Sequence, residues 1–166
     1  IEAQDHALPR DMEGKRAVVV GGGPAGFMAA MTLKRRGCDV TLLEKDLKPG
    51  GQVITASTCI LKDKLYWCVE DYMHRAEAMG VTICLGKEAT AESILEMKPD
   101  LVICATGGHA LVPGKLPGVT NENVCTAPEI ILGQKKSKGG NAVVIGSGMT
   151  GLETTEILNE GGNHVT

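Results

Sequence analysis

Two glycine fingerprints, each standing where a strand turns into a helix, constrain this chain more than anything else in it. The first reads Gly21-Gly22-Gly23-Pro24-Ala25-Gly26 after the apolar run Ala17-Val18-Val19-Val20. The second reads Gly146-Ser147-Gly148-Met149-Thr150-Gly151 after Ala142-Val143-Val144-Ile145. A single G-x-G-x-x-G is a weak signal. Two in strand–turn–helix context point to a protein that holds two dinucleotides and moves electrons between them. The sequence stops as its second nucleotide unit opens, so a fragment is expected.

Between the fingerprints, strands and helices alternate. Strands are expected over Arg16 to Val20, Asp39 to Leu43, Val81 to Leu85 and Leu101 to Ala105. Pro24 suits a helix's first turn and Gly37 its stop, which predicts a helix from Pro24 to Arg36. Leu61, Leu65, Val69, Tyr72, Met73 and Ala76 recur at helical spacing, so a second long helix is expected from Leu61 to Met79, ended by Gly80. Ala91 to Met97 and Pro128 to Leu132 read as short helices, and Met149 to Asn159 as the helix of the second unit. This alternation predicts an α/β fold, a Rossmann-like parallel sheet with helices on both faces, truncated. The expected domains are a polar linker or arm (residues 1–14), an ADP-binding domain (15–134) lacking its closing part, and the start of a second nucleotide domain (135–166). Lys135-Lys136-Ser137-Lys138-Gly139-Gly140 reads as a solvated connection between them.

Each glycine of the first motif has its own task. Gly21 permits the tight turn, Gly23 lets backbone approach a pyrophosphate, and Gly26 lets helix pack close to strand. The phosphates then meet the helix N-terminus, where unpaired N–H groups and the helix dipole favour negative charge. A ribose-binding acid is expected about 20 residues on, at the end of the second strand. Glu44 follows Thr41-Leu42-Leu43 there; it would accept ribose hydroxyls and repel a 2′-phosphate. S-adenosylmethionine enzymes share such a turn and acid, so the first motif alone does not separate them.

Composition removes other classes. Phe27, Trp67, Tyr66 and Tyr72 are the only aromatics and the net charge is −3, which argues against nucleic acid as a partner and against an anionic membrane surface. No apolar stretch approaches the roughly 20 residues that span a bilayer. The six cysteines include no C-x-x-C pair and read as reduced thiols of a cytoplasmic protein, with Cys84 and Cys104 as small buried strand residues.

From Lys15 to Thr166 the chain resembles the flavoproteins with two dinucleotide-binding domains. The residues that carry this are Ala17 to Gly26, Leu43-Glu44-Lys45, Gly50-Gly51-Gln52, Asp100 to Gly107, and Gly146 to Gly151 with Glu153. Glutathione-reductase-like members carry a cysteine pair soon after the Gly-Gly turn, where Cys59 stands alone. Thioredoxin-reductase-like members carry C-x-x-C before the second motif, where Pro128 takes the place of Cys125's partner. The closer likeness is to the C-terminal half of the 2,4-dienoyl-CoA reductase and 2-enoate reductase group. It rests on Gly50-Gly51-Gln52, the helix Lys62 to Met79, Gly80 to Ile83 and Thr90 to Ile94 ahead of Pro99-Asp100.

That resemblance implies a flavin-dependent oxidoreductase that binds FAD, accepts hydride from NAD(P)H and passes electrons to a C=C-reducing domain. The partner domain would be an N-terminal barrel with FMN and an iron–sulfur cluster. Gly21, Gly23, Pro24, Ala25, Gly26 and Glu44 would hold the ADP part of FAD. Lys45, Gly51 and Gln52 would lie along its ribityl side, with Ala105, Thr106 and Gly107 bordering it. Gly146, Gly148, Met149, Thr150, Gly151 and Glu153 would serve the nicotinamide nucleotide. Two alternatives stand beside this: a non-catalytic ADP-holding module, and the electron-input component of a glutamate-synthase-like enzyme. Little or no turnover is expected of the fragment alone.

No protein side chain is expected to do covalent or acid–base work, since the cofactor carries the redox chemistry. His109 reads as a loop residue. His6, His74 and His164 lack partners at ligand spacing, so no metal is expected. Tyr66 and Trp67 read as packing residues, and Glu70 and Asp71 as a helix's wet face.

Overall fold

The computed structural model describes residues 8–137 and 139–166. The first seven residues of the arm, His6 among them, and Lys138 of the basic connection lie outside the described residues. By their own contacts the residues form two compact units: one ends its first stretch at Val53 and adds Tyr66–Gly107, the other comprises Ile54–Leu65 and Gly108–Thr166.

The first unit is a four-stranded parallel sheet in the order β3-β2-β1-β4. Its strands are β1 (Arg16–Val20), β2 (Asp39–Leu43), β3 (Thr82–Cys84) and β4 (Leu101–Cys104). Side chains alternate across a strand, so register decides which set is buried. Ala17 and Val19 pair with Val40 and Leu42, and all four are buried under helices α1 (Pro24–Arg35) and α3 (Trp67–Ala78). Phe27, Ala30, Met31 and Leu33 of α1, Val69 and Ala76 of α3, and Cys38 and Val81 join that core.

Cys104 departs from the expectation of a buried thiol. It shares the opposite face of edge strand β4 with Val102, and both are exposed, whereas Leu101 and Ile103 pack against the core. Cys84 is half-buried. The end of the arm is docked: Asp11 pairs with Arg36 at 2.6 Å, the Met12 amide donates to the Arg36 carbonyl, and the Met12 side chain meets the core.

The long helix expected from Leu61 is divided. An unexpected helix α2 (Gln52–Thr58) comes first, then a 3-10 turn (Asp63–Tyr66), and α3 starts only at Trp67. Leu61 takes a left-handed backbone angle (φ 60) and is 94% exposed, which stops any helix there. Trp67 is exposed, against expectation, while Tyr66 packs on the core.

In the second unit, β5 (Gly140–Ala142) and β6 (Asn163–Val165) pair in parallel, joined by α6 (Met149–Glu160). The ladder continues from the Val144 amide to the Thr166 carbonyl at 2.9 Å. β5 ends earlier than the expected Ala142 to Ile145, and Val143 and Ile145 are exposed. Thr154 and Leu158 of α6 are buried, as is Ile131 of α5 (Ala127–Ile131), which packs on α6. The remaining short helix, α4 (Ala91–Glu96), lies in the first unit. Among the described residues no helix is long and apolar enough to cross a membrane.

Candidate functional site

The two fingerprints fold into near-identical cradles. Gly21 and Gly146 open them with positive φ, 111° and 116°, a region that side chains rarely adopt. Gly23 and Gly148 are the N-caps of α1 and α6, with φ, ψ of −83°, 177° and −75°, 177°. A Cβ at Gly26 would overlap the Gly21 carbonyl oxygen, and one at Gly151 would overlap the Gly146 carbonyl oxygen. At Gly23 and Gly148 a Cβ would meet nothing within 4 Å. The third glycine of each motif is therefore needed by the fold itself, whereas the second faces open space that a ligand's backbone-hugging group can use.

Both cradle helices also leave their first turns uncapped: neither has a side-chain cap hydrogen bond nor an acidic residue there. The short helices α4 and α5 instead carry capping boxes, Thr90 with Ser93 and Thr126 with Glu129. Unpaired N–H groups at the positive end of a helix suit an anion, and a pyrophosphate matches that chemistry.

The first cradle draws in residues from three further segments. Glu44, 7% exposed, accepts from the Gly22 amide through Oε2 at 2.6 Å and from the Asp46 amide through Oε1 at 2.9 Å. A carboxylate offers about four acceptor sites, so one on each oxygen remains open to a further donor. The motif gives Gly22 no task of its own, yet its constraint is tight: a Cβ there would stand 3.0 Å from Glu44. The Gly50 amide donates to the Gly22 carbonyl at 2.8 Å, and a Cβ at Gly51 would lie 3.7 Å from the Gly23 Cα. Ala105 hydrogen-bonds Val20 at 2.8 Å and its carbonyl backs Gly21. Gly21 to Gly26, Glu44, Gly51 and Ala105 thus come together. Pro24 takes the first position of α1, and Ala25, Lys45, Gln52, Thr106 and Gly107 are exposed.

In the second cradle Gly146, Gly148, Met149 and Thr150 are exposed. Glu153, one turn into α6, forms an ion pair with Lys62 and accepts from the Cys59 thiol at 3.5 Å. The Lys62 ammonium holds the Glu153 carboxyl below the usual carboxylate range, and burial pushes the buried Cys59 thiol up. An open cavity of about 530 Å³ lies beside this cluster, lined by Ile60, Lys62, Met149, Leu152, Glu153 and Thr155 among others. Nothing in local spacing joins Lys62 and Cys59 to Glu153, so the sequence does not announce this cluster. Among the described residues no His, Cys, Asp and Glu group could hold a metal ion, and His74, His109 and His164 are exposed.

Two parallel sheets, each leading into a matching glycine cradle at a helix N-terminus, define a dinucleotide-binding α/β protein. Residues 15–166 match the family model of the pyridine nucleotide-disulphide oxidoreductases, and the chain belongs to that family. It is 40% identical over 155 residues to an NADH oxidase of Thermoanaerobacter brockii, covering 92% of this chain and 24% of that protein. To a cinnamate reductase of Clostridium sporogenes it is 32% identical over 163 residues, covering 98% and 24%. A solved 2-naphthoyl-CoA reductase superposes with a TM-score of 0.82 at 30% identity, covering 97% of this chain and 24% of the other. These relatives bear out the resemblance to the enoate-reductase group. The chain spans about a quarter of the length of each.

Proposed function

We propose that this chain supplies the nucleotide-binding and electron-input part of a flavin-dependent NAD(P)H oxidoreductase acting on conjugated C=C bonds. The observation that carries the reading is the repeated uncapped cradle, in which Gly23 and Gly148 face open space at matched backbone angles. Residues 15–134 would serve FAD and residues 135–166 would begin the NAD(P)H domain. Gly21, Gly23, Pro24, Ala25 and Gly26 would receive the pyrophosphate of FAD, and Glu44 its adenosine ribose. Lys45, Gly51, Gln52, Ala105, Thr106 and Gly107 would border the rest. Gly146, Gly148, Met149, Thr150, Gly151 and Glu153 would serve NAD(P)H.

When bound, FAD would supply the two-electron acceptor for nicotinamide. The chain's own residues bind and orient: backbone N–H groups face phosphate, and the buried Glu44 carboxylate favours an unphosphorylated ribose. The remainder of the parent protein would be a barrel domain with FMN and an iron–sulfur cluster. Relatives about four times as long, among them proteins named for cinnamate and 2-naphthoyl-CoA, support a larger parent protein with further domains.

Thermal unfolding with FAD, ADP and NADH added separately tests the reading. A ligand at about 100 times its Kd adds roughly 2.7 kcal/mol. Stabilisation by FAD well beyond that by ADP is the expected result. Equal stabilisation by FAD and ADP would favour a structural nucleotide module, and none by either would remove the first site.

A further inference from the structure

We propose that Tyr66 is a positioning residue for the first nucleotide cradle, acting through the turn Lys48–Gly51. This rests on the reading of that cradle as an ADP site. The Tyr66 hydroxyl donates to the Pro49 carbonyl at 2.9 Å, and the Lys48 ammonium sits 3.9 Å from the centre of the Tyr66 ring. The same turn places the Gly50 amide on the Gly22 carbonyl at 2.8 Å and Gly51 beside Gly23. Gly50 and Gly51 both have positive φ, 135° and 52°, so the turn has no regular ladder to hold it. Pro49 and Gly50 are nonetheless buried. Tyr66 ties the turn to the hydrophobic core, against which its ring packs. Burial raises its phenol above the usual tyrosine range, so the hydroxyl stays a donor.

The consequence is specific. Gly22 lies between two anchors, its amide on Glu44 and its carbonyl on Gly50. Losing the Tyr66 hydroxyl frees the second anchor without touching the ligand, so the effect appears in affinity. The ring, its packing and its contact with Lys48 remain in Tyr66→Phe.

The test is titration calorimetry of ADP with the parent chain, Tyr66→Phe and Trp67→Phe, at a temperature where circular dichroism shows all three folded. Removing one net hydrogen bond is expected to weaken ADP binding roughly fivefold in Tyr66→Phe. The exposed neighbour changed in Trp67→Phe should leave affinity unchanged. An unaltered Kd in Tyr66→Phe, with or without a lower Tm, overturns the proposal and leaves the ADP site standing. Failure of the parent chain to bind ADP overturns both. Should Tyr66→Phe not fold, hydrogen exchange of the Gly50 amide in the parent chain decides: slowing on addition of ADP is expected, and an unchanged rate overturns the proposal.

Discussion

At the scale of single residues, the glycines of each fingerprint separate into those the fold needs and those that leave open space in front of the turn. Gly26→Ala and Gly151→Ala drive a methyl into a carbonyl oxygen of the same turn. Such overpacking costs about 1–3 kcal/mol, readable in urea denaturation. Gly23→Ala and Gly148→Ala place the methyl in open space at a backbone angle that alanine tolerates. Their cost is about 0.5 kcal/mol, the handicap of alanine at an N-cap, while nucleotide binding to the affected cradle should fall steeply. Gly22→Ala belongs to neither class. Its methyl would push on the Glu44 side chain and disturb the carboxylate that receives the Gly22 amide. If Gly23→Ala bound ADP as the parent does, the phosphate would not lie against that turn.

At the scale of elements, the contrast between α1 and α6 on one side and α4 and α5 on the other says where charge is wanted. Charge also ties α6 to the segment Ile54–Leu65 of its own unit, through Glu153 and Lys62. Because Lys62 lowers the Glu153 pKa, this carboxylate contributes stability that is present at neutral pH. That contribution is lost as pH falls through its lowered folded value, on the acid side of the ordinary carboxylate range. Lys62, raised by the same contact, keeps its contribution until pH climbs through its raised value, beyond the ordinary lysine range. Urea midpoints measured from neutral to acid pH should fall more for the parent than for Glu153→Gln, the two converging at the acid end. Parallel curves would mean that the pair carries no net stability. The elements themselves were largely legible: β1 and β2 begin and end where alternation and Gly37 put them. The region 52–66 was not. Leu61 and Leu65 continue a helical period through a turn whose left-handed residue no periodicity can announce. Nor does Gln52–Thr58 show an apolar stripe, having no buried residue at all. In the candidate site, the glycines and Glu44 could be read locally, but Gly22 with Glu44, Tyr66 with Pro49 and Lys62 with Glu153 are tertiary pairs that leave no spacing to read.

At the scale of the molecule, the second unit presents Val143, Ile145, Met149 and Leu152, each at least 60% exposed, beside a strand paired on one side only. Exposed strand edges of this kind template association. Sedimentation velocity should find concentration-dependent self-association of the chain, reduced in the double variant Val143→Lys, Ile145→Lys. A monomer at every concentration would show that this edge is not sticky enough to matter. The way the two units share the chain has a different consequence. The polypeptide passes from one to the other after Val53, after Leu65 and after Gly107, so neither unit is a contiguous piece of sequence. During synthesis, Ile54–Leu65 emerges from the ribosome well before the rest of its unit and must wait for it. The first unit cannot finish until Gly107 is out. A single cut after Gly107 therefore releases the whole first unit only with Ile54–Leu65 still attached, and no single cut yields the second unit with that segment in place.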